Sequence, residues 1–151
     1  MKDCAAKMEM LPFINLTLAG CPKAMNKTIL VVEDEKFSRT IILATLKAHG
    51  LNCISAENGQ DALNILSVSK CDLILTDLRM PILNGLELIS AIRNGEREPR
   101  IRRDIPIVVL SAEKGQMIDA AVDLGISSYF IKKEPIDNLV PRLKELLDIP
   151  D

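Results

Sequence analysis

The chain has no tryptophan, one tyrosine and three phenylalanines, so aromatic residues make up 3% of its 151 residues and any core must be aliphatic. It has one histidine, His49, and four cysteines, Cys4, Cys21, Cys53 and Cys71, with no C-x-x-C pair. That inventory excludes an ordinary zinc site. Neither sign of charge dominates: 19 Lys and Arg stand against 21 Asp and Glu, for a net charge of −2. Such a balance argues against generic nucleic-acid binding through a basic surface. No apolar run is long enough to span a bilayer. Cys53 and Cys71 lie in or beside apolar segments and read as small buried hydrophobes, a usage that fits a reducing cytoplasm.

What is present is enough apolar material for one core. Hydrophobic residues reach 48%, and the length suits one domain. Residues 1–26 stand apart from it. They hold Met1, Met8, Met10 and Met25, and Leu18-Ala19-Gly20-Cys21 looks like a lipoprotein cleavage box, although Glu9 and Pro12 interrupt the short apolar stretch before it. The expectation is a loosely ordered extension over 1–26 and a folded domain over 27–151.

From Lys27 onward, strand and helix patterns alternate. Strands are expected at Thr28–Val32, Leu51–Ala56, Asp72–Thr76, Ile107–Leu110 and Ser127–Ile131. The first helix carries Phe37, Ile41, Ile42, Thr45 and Leu46 and ends near Gly50, with His49 as a C-terminal cation. Further helices follow Asn58-Gly59, follow Gly85, and span Gln116–Leu124. The last bears Leu139, Leu143, Leu146 and Leu147, with Pro141 tolerable only in or near its first turn. Asn94–Asp104 is a loop of mixed charge, of the kind that is usually solvated. Five β-α units with right-handed crossovers imply a parallel sheet covered by helices on both faces.

Two apolar runs end in acids. Thr28–Val32 leads into Glu33-Asp34-Glu35, and Leu73–Thr76 leads into Asp77. Carboxylates at those strand ends sit at the carboxyl edge, where open α/β sheets place their sites. Several carboxylates at one point are electrostatically costly without a cation, and oxygen donors suit a hard divalent metal. Taken alone, Asp77 also reads as a turn or helix N-cap residue, and Glu35 as a helix N-terminal acid.

Four blocks in order then identify a family. Val31-Val32-Glu33-Asp34-Glu35, Thr76-Asp77-Leu78-Arg79-Met80-Pro81 with Asn84–Leu88, Val108–Ala112, and Tyr129-Phe130-Ile131-Lys132 together resemble the receiver domain of bacterial two-component response regulators. The resemblance covers roughly residues 27 to 148. It implies a flavodoxin-like, doubly wound α/β fold with five parallel strands in the order 2-1-3-4-5 and five helices.

Carried over by position, the resemblance makes Asp77 the phosphoacceptor and Lys132 the cation against the phosphoryl oxygens. It makes Ser111 the switch hydroxyl and Tyr129 the aromatic that follows its motion. Mg²⁺ would be held by Asp34 and Asp77 directly, by the backbone carbonyl of Arg79, and by Glu33 through water. In the family, proline follows the lysine directly. Here Lys133 and Glu134 intervene before Pro135, which should reshape the loop before the last helix. Side chains two positions past the phosphoacceptor and the switch hydroxyl modulate acyl-phosphate lifetime in the family, so an Arg79–Glu113 ion pair would shield the site.

The expected function is that of a stand-alone, cytoplasmic receiver, not an enzyme acting on an external substrate. A histidine kinase or phosphotransfer protein would phosphorylate it, and a downstream protein would read the result. Asp119 and Asp123 make the fourth helix acidic and disfavour direct DNA contact; dimerisation is left open. One alternative is a receiver-fold docking module that works without phosphorylation. Another is an aspartyl phosphatase, which would need an acid where Arg79 stands.

Overall fold

The structure is a computed structural model that describes residues 27–95, 98–112 and 114–150. The expected extension over 1–26, Cys4 and Cys21 within it, and Glu113 of the expected ion pair lie outside the described residues.

The elements alternate as the periodicity requires. They are β1 (Thr28–Val32), α1 (Lys36–Ala48), β2 (Asn52–Ala56), α2 (Gly59–Val68), β3 (Leu73–Thr76), α3 (Gly85–Asn94), β4 (Ile107–Ser111), α4 (Gln116–Asp123), β5 (Ser128–Ile131) and α5 (Val140–Leu146). All strand pairs are parallel and the order is β2-β1-β3-β4-β5. This is the doubly wound, flavodoxin-like arrangement that the resemblance implied.

The alternation of side chains along each strand divides the core in two. Leu30, Val32, Ile74, Ile107 and Val109 face α2, α3 and α4, where they meet Leu63, Leu88, Ile89 and Ile118. Ile29, Val31, Leu73, Leu75, Val108 and Leu110 face the other way, onto Ile42 and Leu46 of α1 and Leu143 of α5. Both faces of the central strands are buried, which is why β1, β3 and β4 read as unbroken aliphatic runs rather than alternating ones.

Helix ends follow their local chemistry. Asn84 caps α3 in a reciprocal box with Glu87, and α3 closes on Gly95 in the left-handed region at φ 69°. Pro141 lies in the first turn of α5, directly after a 3₁₀ turn over Ile136–Leu139. There it costs no internal hydrogen bond. His49 is the C-cap of α1, and its Nε2 lies 2.7 Å from Oδ1 of Asp137, tying α1 to that 3₁₀ turn.

The apolar stripe expected on α1 is only partly interior. Ile42 and Leu46 are buried, but Phe37 is 70% and Ile41 42% exposed. Cys53 and Cys71 are free thiols packed against the two half-cores, and burial pushes both up to about 11. Among the described residues no helix is long and apolar enough to cross a membrane.

Candidate functional site

Three strand ladders continue one residue past the strands and place the key residues in one layer. The amide of Glu33 donates to the carbonyl of Ala56 at 3.1 Å, that of Asp77 to Val32 at 3.0 Å, and that of Lys132 to Ser111 at 2.7 Å. Glu33, Asp77 and Lys132 also share a parity. Each lies two residues beyond a side chain packed on the α1 and α5 face, namely Val31, Leu75 and Phe130. Period-two alternation therefore brings them to the same side of the sheet. Ser111 has the opposite parity, in step with Val109 on the α4 side.

The side chains converge accordingly. Nζ of Lys132 donates to Oε1 of Glu33 at 2.6 Å and to Oδ2 of Asp77 at 3.0 Å. The other oxygen of Asp77, Oδ1, accepts from the amide of Leu78 at 2.7 Å. The other oxygen of Glu33 accepts from the amide of Glu35 at 3.2 Å. Glu33, Asp34 and Asp77 each present a carboxylate oxygen, and these atoms all lie within 4.8 Å of one another. The Glu33 side chain is 2% exposed and that of Asp77 12%, whereas Asp34 is open to solvent.

Burial is the main influence on Glu33 and raises its carboxyl above 4.5, although the hydrogen bond from Lys132 works against it. For Lys132, burial alone would lower the ammonium, but its hydrogen bonds to Glu33 and Asp77 outweigh it and raise the group above 10.5. Lys132 is therefore a fixed cation, held between two acids.

Glu35 is not gathered into this cluster. Its carboxylate caps α1, accepting from the amides of Ser38 at 2.7 Å and Phe37 at 3.2 Å, and those bonds, Ser38 first, hold its carboxyl below 4.5. Helix N-terminal acid is its role in this structure. Ser111, at the end of β4, is 8% exposed. Ser111 and the exposed Arg79 line a cavity of about 220 Å³ that runs under the start of α4 at Gln116. Tyr129 is 39% exposed and borders a larger hollow of about 910 Å³ between β5 and α5, with Val122, Arg142 and Ile149.

Lys133 and Glu134 form a turn closed by the amide of Glu134 on the carbonyl of Ile131 at 3.1 Å, and no peptide among the described residues is cis. The two residues extend the loop without displacing Lys132 from the acids.

Sequence reading missed two contributors. The hydroxyl of Thr76 donates to the carbonyl of Asp77 at 2.8 Å. Nη1 of Arg39 donates to the carbonyl of Glu33 at 2.8 Å and to that of Asp34 at 3.4 Å. A basic residue one turn into a helix that follows an acid cluster was the available signal for Arg39. Thr76 left no signal beyond its place in a strand.

The donor set fits a hard divalent cation: three carboxylates, no nitrogen or sulfur ligand, and open solvent on the Asp34 side.

The family model described as "Response regulator receiver domain" matches residues 29–144. The chain is 36% identical over 125 residues to the phosphate regulon transcriptional regulatory protein PhoB of Pseudomonas aeruginosa, a stretch that covers 82% of this chain and 52% of PhoB. The chain thus spans about half the length of that relative. Among solved structures, the receiver domain of the sensor histidine kinase PA1611 of Pseudomonas aeruginosa, which has a magnesium ion coordinated in its active site cleft, superposes with a TM-score of 0.71 at 28% identity, covering 81% of this chain and 98% of that one. The response regulator TrrA of Thermotoga maritima, in complex with Mg²⁺-BeF, superposes with a TM-score of 0.69 at 31% identity, covering 80% and 98%. Sequence blocks, strand order and family match agree, and the chain belongs to the response regulator receiver family of two-component signalling.

Proposed function

We propose that residues 27–151 form a phosphoacceptor unit in which Asp77 takes a phosphoryl group from a phosphohistidine of a histidine kinase or phosphotransfer protein. Receiver domains in general bind Mg²⁺ at their acidic site and communicate with histidine kinases and downstream targets. The observation that carries the reading here is the Lys132 ammonium 3.0 Å from the Asp77 carboxylate, beside two further acids.

Asp34 and Asp77 would hold Mg²⁺ directly with the carbonyl of Arg79, and Glu33 through water. Bound there, the ion neutralises phosphoryl oxygens and the carboxylates around them. The chain's own groups do the rest. An oxygen of Asp77 attacks phosphorus, the phosphorus–nitrogen bond of the donor breaks, and the electron pair returns to the donor imidazole. Lys132 exchanges part of its contact with Glu33 and Asp77 for the incoming oxygens, which keeps the charge of the pocket compensated. The Ser111 hydroxyl, on the opposite side of Asp77 from Lys132, donates to a phosphoryl oxygen. Tyr129 then moves inward, and the altered surface is read by a partner protein. Water ends the signal by hydrolysing the acyl phosphate, so the unit assists its own turnover without acting on an external substrate.

The test is incubation with acetyl phosphate and MgCl₂ followed by intact mass measurement. Wild type should gain one phosphoryl group and Asp77→Asn none. An equal gain in both, or none in wild type, overturns the assignment. Phosphorylation of Asp77 without any change in partner binding would favour the docking-module alternative.

A further inference from the structure

Arg39 stands out because it donates to the backbone carbonyls of the acidic cluster. Its guanidinium reaches back from the first turn of α1 to two successive backbone carbonyls, those of Glu33 at 2.8 Å and Asp34 at 3.4 Å. Those carbonyls lie in the turn between β1 and α1, ahead of the first helical bond, in which the amide of Arg39 donates to Glu35. They are beyond the reach of both the ladder and the helix. Within the turn the amide of Glu35 also donates to the carboxylate of Glu33, at 3.2 Å. Both bonds come from one nitrogen, Nη1, whose hydrogens are fixed in the guanidinium plane, whereas those of a lysine ammonium rotate freely.

Two effects of Arg39 on a bound cation oppose each other. Its positive charge near three carboxylates disfavours a second cation, although partial exposure to solvent screens that repulsion. Its hydrogen bonds fix the backbone that carries Glu33 and Asp34, which favours a cation needing those oxygens at set positions. The two effects are separable by ion. Charge repulsion acts alike on all divalent cations. Backbone rigidity matters for Mg²⁺, which demands near-ideal octahedral geometry, and far less for Ca²⁺, whose longer and more variable coordination tolerates a loose turn.

We propose that Arg39 is a positioning residue that sets the preference of this site for Mg²⁺ over Ca²⁺ by locking the Glu33–Asp34 turn. This inference rests on the metal-site reading above. Deleting these two bonds should weaken Mg²⁺ by about tenfold, the lower end of what loss of an outer-shell partner costs a metal site, and leave Ca²⁺ within about twofold.

The experiment is calorimetric titration of the full chain with MgCl₂ and with CaCl₂, for wild type, Arg39→Ala and Arg39→Lys, with thermal melts in EDTA to confirm folding. The expected result is a fall in the Mg²⁺ to Ca²⁺ affinity ratio for both variants, smaller for Arg39→Lys, which keeps the charge and a donor nitrogen but not the planar guanidinium that fixes the directions of its hydrogens. Mg²⁺ and Ca²⁺ affinities that move together, in either direction, or that stay put, overturn the proposal. If Arg39→Ala fails to fold, the ratio for Arg39→Lys decides alone. Wild type that binds neither ion refutes the metal-site reading itself, an outcome distinct from an unchanged ratio in a wild type that binds both.

Discussion

The ammonium of Lys132 lies closer to Glu33, at 2.6 Å, than to Asp77, at 3.0 Å. The residue aligned as an indirect metal ligand is thus the principal partner of the lysine, and it is the most buried acid of the site. Lys132 thus stands as a cation between two carboxylates.

Replacing Lys132 by methionine tests that relationship. Two acids then lie together without compensation, so the metal-free protein should lose stability on the order of 2 kcal/mol. The variant should bind Mg²⁺ on the order of tenfold more tightly, because a competing charge is gone. Urea melts in EDTA and in saturating MgCl₂ check both, with the added metal restoring most of the loss. Phosphorylation of Asp77 should nonetheless slow, since the phosphoryl oxygens lose their fixed cation.

The pH dependence of metal-free stability should carry the signature of Glu33. Its folded carboxyl is raised above 4.5, chiefly by burial. Between 4.5 and that higher value the native state binds more protons than the unfolded one, so stability falls as pH rises through this window. The contribution is fully present below 4.5. Glu33→Gln mimics the protonated form and should exceed wild type in stability near neutrality, with the difference vanishing as pH falls toward 4.5. Denaturant melts of both proteins in EDTA across that range measure it. Lys132 acts at the other extreme: its contribution is complete below 10.5 and is lost as pH climbs through its raised folded value.

Gly85 bears on Asp77 through packing. A Cβ at this position would lie 2.3 Å from the carbonyl of Asp77 and 2.7 Å from Cα of Leu78, both backbone atoms that cannot swing aside. Gly85→Ala should therefore cost on the order of 1–3 kcal/mol. It should also slow phosphorylation by acetyl phosphate, because relief of the clash moves the backbone that holds the phosphoacceptor. Parallel melts and phosphorylation rates test this, and an unaffected rate would separate the site from the start of α3.

Arg93 holds the long α3–β4 connection. It donates to the carbonyls of Gly125 at 3.1 Å, Arg103 at 2.6 Å and Ile105 at 2.8 Å, while Nε of Arg103 donates back to the carbonyl of Arg93 at 3.1 Å. Arg93→Ala should lower stability on the order of 1–3 kcal/mol, with part of that cost in carbonyls left without a donor. Mg²⁺ affinity should stay unchanged, since none of these carbonyls belongs to the carboxyl-edge cluster. Thermal melts alongside Mg²⁺ titration distinguish the two effects.

Much of this architecture was legible beforehand because it is local. Unbroken aliphatic runs mark strands buried on both faces, and Gly50, Asn58 and Gly85 mark where helices start and stop. Boundaries shifted by one residue at Leu51, Asp72 and Ser127, each of which flanks its strand instead of joining it. Periodicity groups Phe37 and Ile41 with Ile42 and Leu46 in one stripe of α1, but it cannot tell which members of the stripe stay exposed. The acids at the ends of β1 and β3 were visible, but which of them Lys132 would meet was not.

The sequence by itself determined the order of strands and helices, the aliphatic character of the core and the collection of acids at the carboxyl edge. Backbone propensity and the period of side-chain burial act over a few residues. Tertiary structure alone decided that Lys132 lies against Glu33, 99 positions away, and Asp77, 55 positions away. Those outcomes follow from strand register and helix placement, which set distances between residues that no local pattern relates.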